Sequence, residues 1–290
     1  MKYRLVELLK CPSDPDEFLR VAEAQVSEVF PYSGDLRPPV CRAGCGLLGN
    51  WFADIPEALP VTHRFDCRRC LGMEIETARI VCPGCGWSLE VSDGVLRPPT
   101  ASPAGDPMPE GSLPQKIGTL TERLLDLKIG DLALVLAPLP ASTLERWGCN
   151  GIERLHVELD PETLMAHRAR SCANGQGLVH HLAGPMDAAV FRSGRFDAVI
   201  SLVPPDRLAA SQEALGLIPS LLRPAGRILL LFPRQRGLGG SGKARLDRHH
   251  QTLPESYHGF HSRLVSGPQA DLVLLSRPKP SRATKPKIAL

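Results

Sequence analysis

The sequence predicts an α/β protein in two parts: a doubly wound parallel sheet over residues 116–280, preceded over residues 1–97 by a small cysteine-rich unit folded around metal. Three observations carry this reading. Apolar segments rich in Val, Ile and Leu alternate with helix-compatible segments through the second half of the chain. Seven of the nine cysteines lie within the first 85 residues. Between the two parts, Arg97 to Pro114 contains six prolines and almost no apolar periodicity, which reads as an extended linker over residues 98–115.

Composition bounds the function classes. At 290 residues, with 43% hydrophobic and 22% charged residues, the chain can bury a sizeable core, and wholesale disorder is excluded. The longest apolar stretches, Leu132 to Ala141 and Ile228 to Phe232, fall short of the ~20 residues that span a bilayer, so no membrane segment is predicted. Lys2, Arg4, Glu7 and Lys10 interrupt the apolar N-terminus, which lacks the uninterrupted core of a secretory signal. A cytoplasmic, reducing compartment follows. From Arg234 to Leu290, eleven Lys or Arg face three acids, a net +8, which leaves −5 for the first 233 residues of the total +3. This basic end, with its tail at 281–290, offers a surface to RNA or to an acidic protein; the alternative is a solubilising tail.

In the N-terminal unit, Cys67-Arg-Arg-Cys70 and Cys82-Pro-Gly-Cys85 form two C-x2-C knuckles eleven residues apart. Each turns two thiolates toward one point, and together they predict a tetrahedral zinc site. Zinc is favoured over disulfides because the inferred compartment is reducing. A second, less complete set consists of Cys11, Asp14, Cys41 and Cys45, in which Asp14 stands where a knuckle would place its fourth ligand. His63 competes for that place, and buried reduced thiols are the alternative to a second site. A closed four-ligand site has no open position for water, so any zinc here is structural and its binding energy acts as folding energy.

Beyond the linker, LTERLLDLKIGD predicts a lead-in helix. LALVLAP, IERLHVEL, FDAVISLV and GRILLLFP predict buried strands, separated by helix-compatible PETLMAHRARS and DRLAASQEALGLIPSLL. His180 and His181 are adjacent on a strand and therefore point to opposite faces, predicting one buried and one exposed ring. His249, His250, His258 and His261 sit among polar residues and read as surface side chains. Gly237 to Lys243 satisfies the first seven positions of a phosphate-loop pattern, but Ala244 stands where a magnesium-binding hydroxyl is needed. A Gly-rich connection between late strands is the simpler reading.

Two resemblances add to this. LVELLKCP, the ribbon and the closing phrase Glu90-Val-Ser-Asp-Gly-Val-Leu-Arg-Pro-Pro99 resemble short zinc-ribbon proteins that activate methyltransferases, over about the first third of the chain. The chain departs from them at Asp14, where a Cys is expected, and in the long stretch from Cys11 to Cys41. Over roughly residues 116 to 280, the order of phrases resembles the class I S-adenosylmethionine-dependent methyltransferases, with their Rossmann-like sheet. His156 to Leu164 is similar to the second strand and its turn, Gly194 to Ser201 to the fourth, Leu221 to Leu230 to the fifth, and Asp271 to Pro278 to the closing strand.

That resemblance implies a ribose-binding acid at Glu158; a surface carboxylate is the alternative. It also implies an acid within the first strand, then glycines that let the backbone approach the cofactor. Here those positions read Val135, Ala137, Leu139 and Ala141, with prolines at 138 and 140. Side-chain bulk enters the ligand's space, donors are lost at both prolines, and the strand carboxylate is gone. In the following loop, Asp187 would have to reach the adenine from a shifted position. The expectation is a methyltransferase-type scaffold with a structural zinc ribbon and a degenerate S-adenosylmethionine pocket, serving as a binding or assembly subunit. The alternative is an active methyltransferase acting on RNA or protein, whose catalytic base no residue singles out.

Overall fold

The computed structural model describes residues 3–28, 44–45, 50–51, 73–97, 117–128, 130–136, 152–158, 164–165, 168–169, 179–183, 190–201, 212–233, 241–266 and 270–278. The linker 98–115 and the tail 281–290 lie outside these residues.

A 3-10 helix at Tyr3–Leu8 opens the chain. Strands β1 (Arg20–Glu28), β4 (Met73–Val81), β5 (Ser88–Ser92) and β6 (Val95–Arg97) form an antiparallel meander, while β2 (Gly44–Cys45) and β3 (Asn50–Trp51) pair separately. In β5 the alternation is plain: Leu89 and Val91 are buried and Glu90 is exposed, the period of a strand with one face on the core. Asp93 and Gly94 join β5 to β6 as a two-residue turn with φ of +52° and +71°. Asp-Gly is the pair such hairpins favour, because both residues must sit in the left-handed region.

After helix α1 (Ile117–Leu125) come β7 (Leu132–Leu136), β8 (Glu153–Glu158), β9 (Val179–Ala183) and β10 (Phe196–Ser201). Helix α2 (Gln212–Leu221), strand β11 (Leu222–Pro233), helix α3 (Gly242–Gln251), β12 (His261–Ser266) and β13 (Ala270–Ser276) follow. Five of these strands run parallel in the order β9-β8-β7-β10-β11. The chain winds outward from β7 to β9, then crosses back to lay β10 on the other side of β7, which places a topological switch point between β7 and β10. β13 is antiparallel to both β11 and β12 and lies between them. Counted from β7, the phrases matched to the second, fourth and fifth strands fall on β8, β10 and β11, and the closing phrase falls on β13.

All five residues of β7 are buried because the sheet is covered on both faces. Leu132, Leu134 and Leu136 join the larger core cluster, and Ala133 and Val135 join the smaller one beneath α1. The same cover corrects the reading of the histidine pair: His180 and His181 do point to opposite faces, yet both are buried. Glu153 lies 2.9 Å from His180 Nε2, and both side chains are fully buried.

The N-terminal meander continues this sheet. β6 pairs in parallel with β9 at Leu96 and Leu182, giving eleven strands in one sheet among the described residues. The larger core cluster runs from Leu5, Leu19 and Ile75 through Leu155 and Phe196 to Val273. Backbone bonds stitch the opening turn to residues 190–192: the Lys10 N–H donates to the Val190 carbonyl and the Arg192 N–H to the Leu8 carbonyl, each at 2.8 Å. The Arg192 guanidinium donates to the carbonyls of Leu9 (3.0 Å) and Glu17 (2.9 Å) and lies 4.1 Å over the Phe18 ring. No helix among the described residues is long and apolar enough to cross a membrane.

Candidate functional site

Two regions concentrate chemistry. In the first, Cys11, Cys82 and Cys85 bring three sulfur atoms within 4.8 Å of one another. Cys11 and Cys85 are closest, at 3.3 Å between Sγ atoms. Local backbone explains the convergence. Cys82 directly follows β4, its N–H donating to the Trp87 carbonyl (2.7 Å) and its carbonyl accepting from the Gly86 N–H (2.9 Å). Gly86, at φ +76°, turns the chain back into β5. The Trp87 N–H donates to the Cys85 sulfur and, with the Cys11 contact, holds that thiol below its ordinary range. Burial pushes the Cys11 thiol up, and its contact with Cys85 acts the same way, while the Ser13 and Asp14 N–H groups oppose them. Asp14 Oδ2 lies 2.8 Å from where a Cβ on Gly84 would stand, so this carboxylate rests against the Cys82–Cys85 turn.

The structure thus joins Cys11, from one predicted ligand set, with Cys82 and Cys85 from the other. Cys41, Cys67 and Cys70 lie outside the described residues, and of Cys45 only the backbone in β2 is described. The donor chemistry fits zinc. Three thiols that converge on one point are donors zinc prefers, and the Asp14 carboxylate against the same turn is of a type that zinc accepts.

The second region is the carboxyl edge of the parallel strands. Leu136, Glu158, Ala183 and Ser201 end β7 to β10 there. Of Glu158 the backbone alone is described; Ala137, Leu139 and Asp187 lie outside the described residues. Val135, at the position of the expected acid, is fully buried in the smaller core. Asp197, in the phrase matched to the fourth strand, works at the opposite edge: its carboxylate accepts from the Leu132 N–H (2.9 Å) and pairs with Arg223 (3.0 Å). Its role there is to hold strand ends together.

Sequence reading missed one pair. His249 is not a free surface ring: it stacks on Phe232 at 4.2 Å, with Nε2 3.3 Å from the Asp271 carboxylate. Asp271 is 2% exposed, opposes Phe232 across the β11–β13 ladder, and also has Arg245 Nε at 3.8 Å. The signal was weak because His249 and Asp271 are 22 residues apart and meet through tertiary packing alone. Lys243 of the phosphate-loop-like stretch is exposed on α3, which Ser241 caps by accepting from the Ala244 N–H.

No protein-family model matches this sequence, and no curated protein matches it. Solved structures resemble part of it. An S-adenosylmethionine-dependent methyltransferase from Aquifex aeolicus matches at TM-score 0.45 and 12% identity, over 58% of this chain and 95% of that one. An RNA methyltransferase from Salinibacter ruber, in complex with S-adenosyl-L-homocysteine, matches at 0.40 and 15%, over 59% and 96%. A precorrin-6y C5,15-methyltransferase from Geobacter metallireducens matches at 0.45 and 12%, over 59% and 93%. All three are methyltransferases by name.

Proposed function

We propose that this chain is a methyltransferase-fold protein with a structural zinc at Cys11, Cys82 and Cys85, which acts as a binding or assembly subunit rather than through the methyl donor. The observation that carries this is Val135, fully buried within an entirely apolar β7. An S-adenosylmethionine pocket of the resembled kind needs a carboxylate there, and this chain has an apolar side chain packed in the smaller core instead. The sequence that follows, Ala137-Pro-Leu-Pro-Ala141, supplies neither the glycines nor the backbone donors. The residues present therefore do not fit the cofactor. The partner is a protein or RNA, met through the N-terminal unit and the basic end, where Lys243, His261 and Arg263 are exposed. Isothermal titration with S-adenosylmethionine tests this: no binding in the micromolar range is expected, and micromolar affinity overturns it.

A second reading, an active transferase on RNA or protein, is favoured by Glu158 at the carboxyl edge and by the His249–Asp271 pair near it. Under it, Glu158→Ala weakens S-adenosylmethionine binding at least tenfold. Unchanged affinity in that variant removes this support.

The zinc reading rests on the three converging thiols, with Asp14 beside them. Metal analysis of the purified chain is expected to return at least one zinc per molecule. A content of zero after gentle purification refutes it.

A further inference from the structure

Between β8 and β9 the described residues Leu164, Met165, Arg168 and Ala169 are helical. Leu164 is fully buried and packs with Val95 of β6 and Ala183 of β9, with Met165 against them. This small apolar cluster lies at the carboxyl end of β9 and joins the N-terminal hairpin to the segment that follows Glu158. Arg168 reaches the same place with a side chain that is only 15% exposed. Its Nη2 donates to Glu76 Oε2 at 2.7 Å, and its Nε lies 3.6 Å from Glu74 Oε1. The other Glu76 oxygen accepts from the Ser27 hydroxyl of β1 at 2.7 Å, which fixes that carboxylate from its far side.

The socket closes over Gly94. Its N–H donates to the Glu76 carbonyl at 2.8 Å, and a Cβ at this position would stand 2.6 Å from Arg168 Nη2 and 2.7 Å from Cζ. The turn thus needs glycine twice, for its left-handed φ and for the space the guanidinium fills. Glu74 and Glu76 lie on β4, whose other end runs directly into Cys82. The thiol cluster and the Arg168 socket are therefore opposite ends of the same pair of strands, β4 and β5. A partly buried guanidinium held between two carboxylates keeps much more of its pairing energy than an exposed pair does.

We propose that Arg168 is a positioning residue: it plugs into a socket that the N-terminal unit forms, so that zinc at the thiol cluster sets the order of the segment following Glu158. Zinc holds the β4–β5 turn together, the ordered strands present Glu74, Glu76 and Gly94, and Arg168 transmits that order to the carboxyl edge of the sheet. The inference rests on the zinc reading above. It is independent of whether that edge binds a methyl donor.

Hydrogen–deuterium exchange on the full chain tests it, with zinc bound and after chelation. In the wild type, chelation is expected to speed exchange at least tenfold both in β4–β6 and in peptides containing Leu164 and Arg168. In Arg168→Gln, the Leu164 peptides exchange fast even with zinc bound, while β4–β6 stay protected; Arg168→Lys, which keeps the charge, restores part of the protection. Glu76→Gln is a second variant expected to behave as Arg168→Gln does. Wild-type protection of these peptides in zinc-bound Arg168→Gln and Glu76→Gln overturns the latch and leaves the zinc reading intact. Chelation that loosens β4–β6 in the wild type without touching the Leu164 peptides overturns the coupling. A chain that binds no zinc refutes the metal reading, and the coupling with it.

Discussion

Arg192→Ala is expected to lower the stability of the whole chain by about 3 kcal/mol. The Arg192 side chain holds the carbonyls of Leu9 and Glu17 at 3.0 and 2.9 Å, and its contact to the Pro15 carbonyl, at 3.4 Å and exposed, is too long to matter. Charge-assisted bonds contribute ~1.5–3 kcal/mol when well buried, and partial solvation of this half-exposed guanidinium brings each of the two to about 1. Stacking on Phe18 adds ~0.5–1 kcal/mol. Urea unfolding followed by two probes measures the effect. With Trp147 replaced by Phe in both proteins compared, fluorescence reports the N-terminal unit, where Trp87 packs against the core, while far-UV circular dichroism reports the entire sheet. Because β6 pairs with β9 and one cluster of buried side chains crosses that junction, both probes should move together to a lower midpoint. With a slope of ~3 kcal/mol per molar urea, the shift is about 1 M. A fluorescence midpoint that falls while the circular dichroism midpoint keeps its wild-type value would refute the reasoning, because the N-terminal unit would then be unfolding by itself.

Further outcomes follow from single sites. Cys82→Ser removes a sulfur from the three-thiol cluster; it should abolish stoichiometric zinc and loosen β4–β6, as read by metal analysis and exchange. Gly226→Ala would set a Cβ 2.9 Å from Leu222 Cδ2 and 3.1 Å from the Arg223 carbonyl, so a loss of about 1–3 kcal/mol is expected in chemical denaturation. Burial raises the pKa of the Tyr257 phenol, whose hydroxyl donates to the Leu215 carbonyl at 2.9 Å. The native state therefore keeps this proton where the unfolded chain loses it: the contribution is whole below pH 10 and shrinks as pH rises beyond it. Tyr257→Phe should cost about 1 kcal/mol at neutral pH and flatten the decline above pH 10, measured by thermal melts across that range.

The sequence by itself determined the strand-bearing segments of the second half and the order of their phrases, because continuous Val, Ile and Leu runs are what a sheet covered on both faces requires. It also determined the candidate ligands Cys11, Cys82 and Cys85 and the absence of glycine from the Ala137-Pro-Leu-Pro-Ala141 run after β7, since both are statements about residue types at fixed positions. Spacing made the Cys82–Cys85 knuckle legible, but that Cys11 joins it was decided by tertiary structure alone. Spacing groups neighbours in the chain, and β4 instead carries Cys82 back to the turn after the opening helix. The same holds for the burial of His180 and His181, which depends on cover over both faces, and for His249 against Asp271. It holds above all for Arg168 in its socket: Glu74, Glu76 and Gly94 come from the N-terminal hairpin, and no local pattern in a sequence records that one sheet edge has been extended by another.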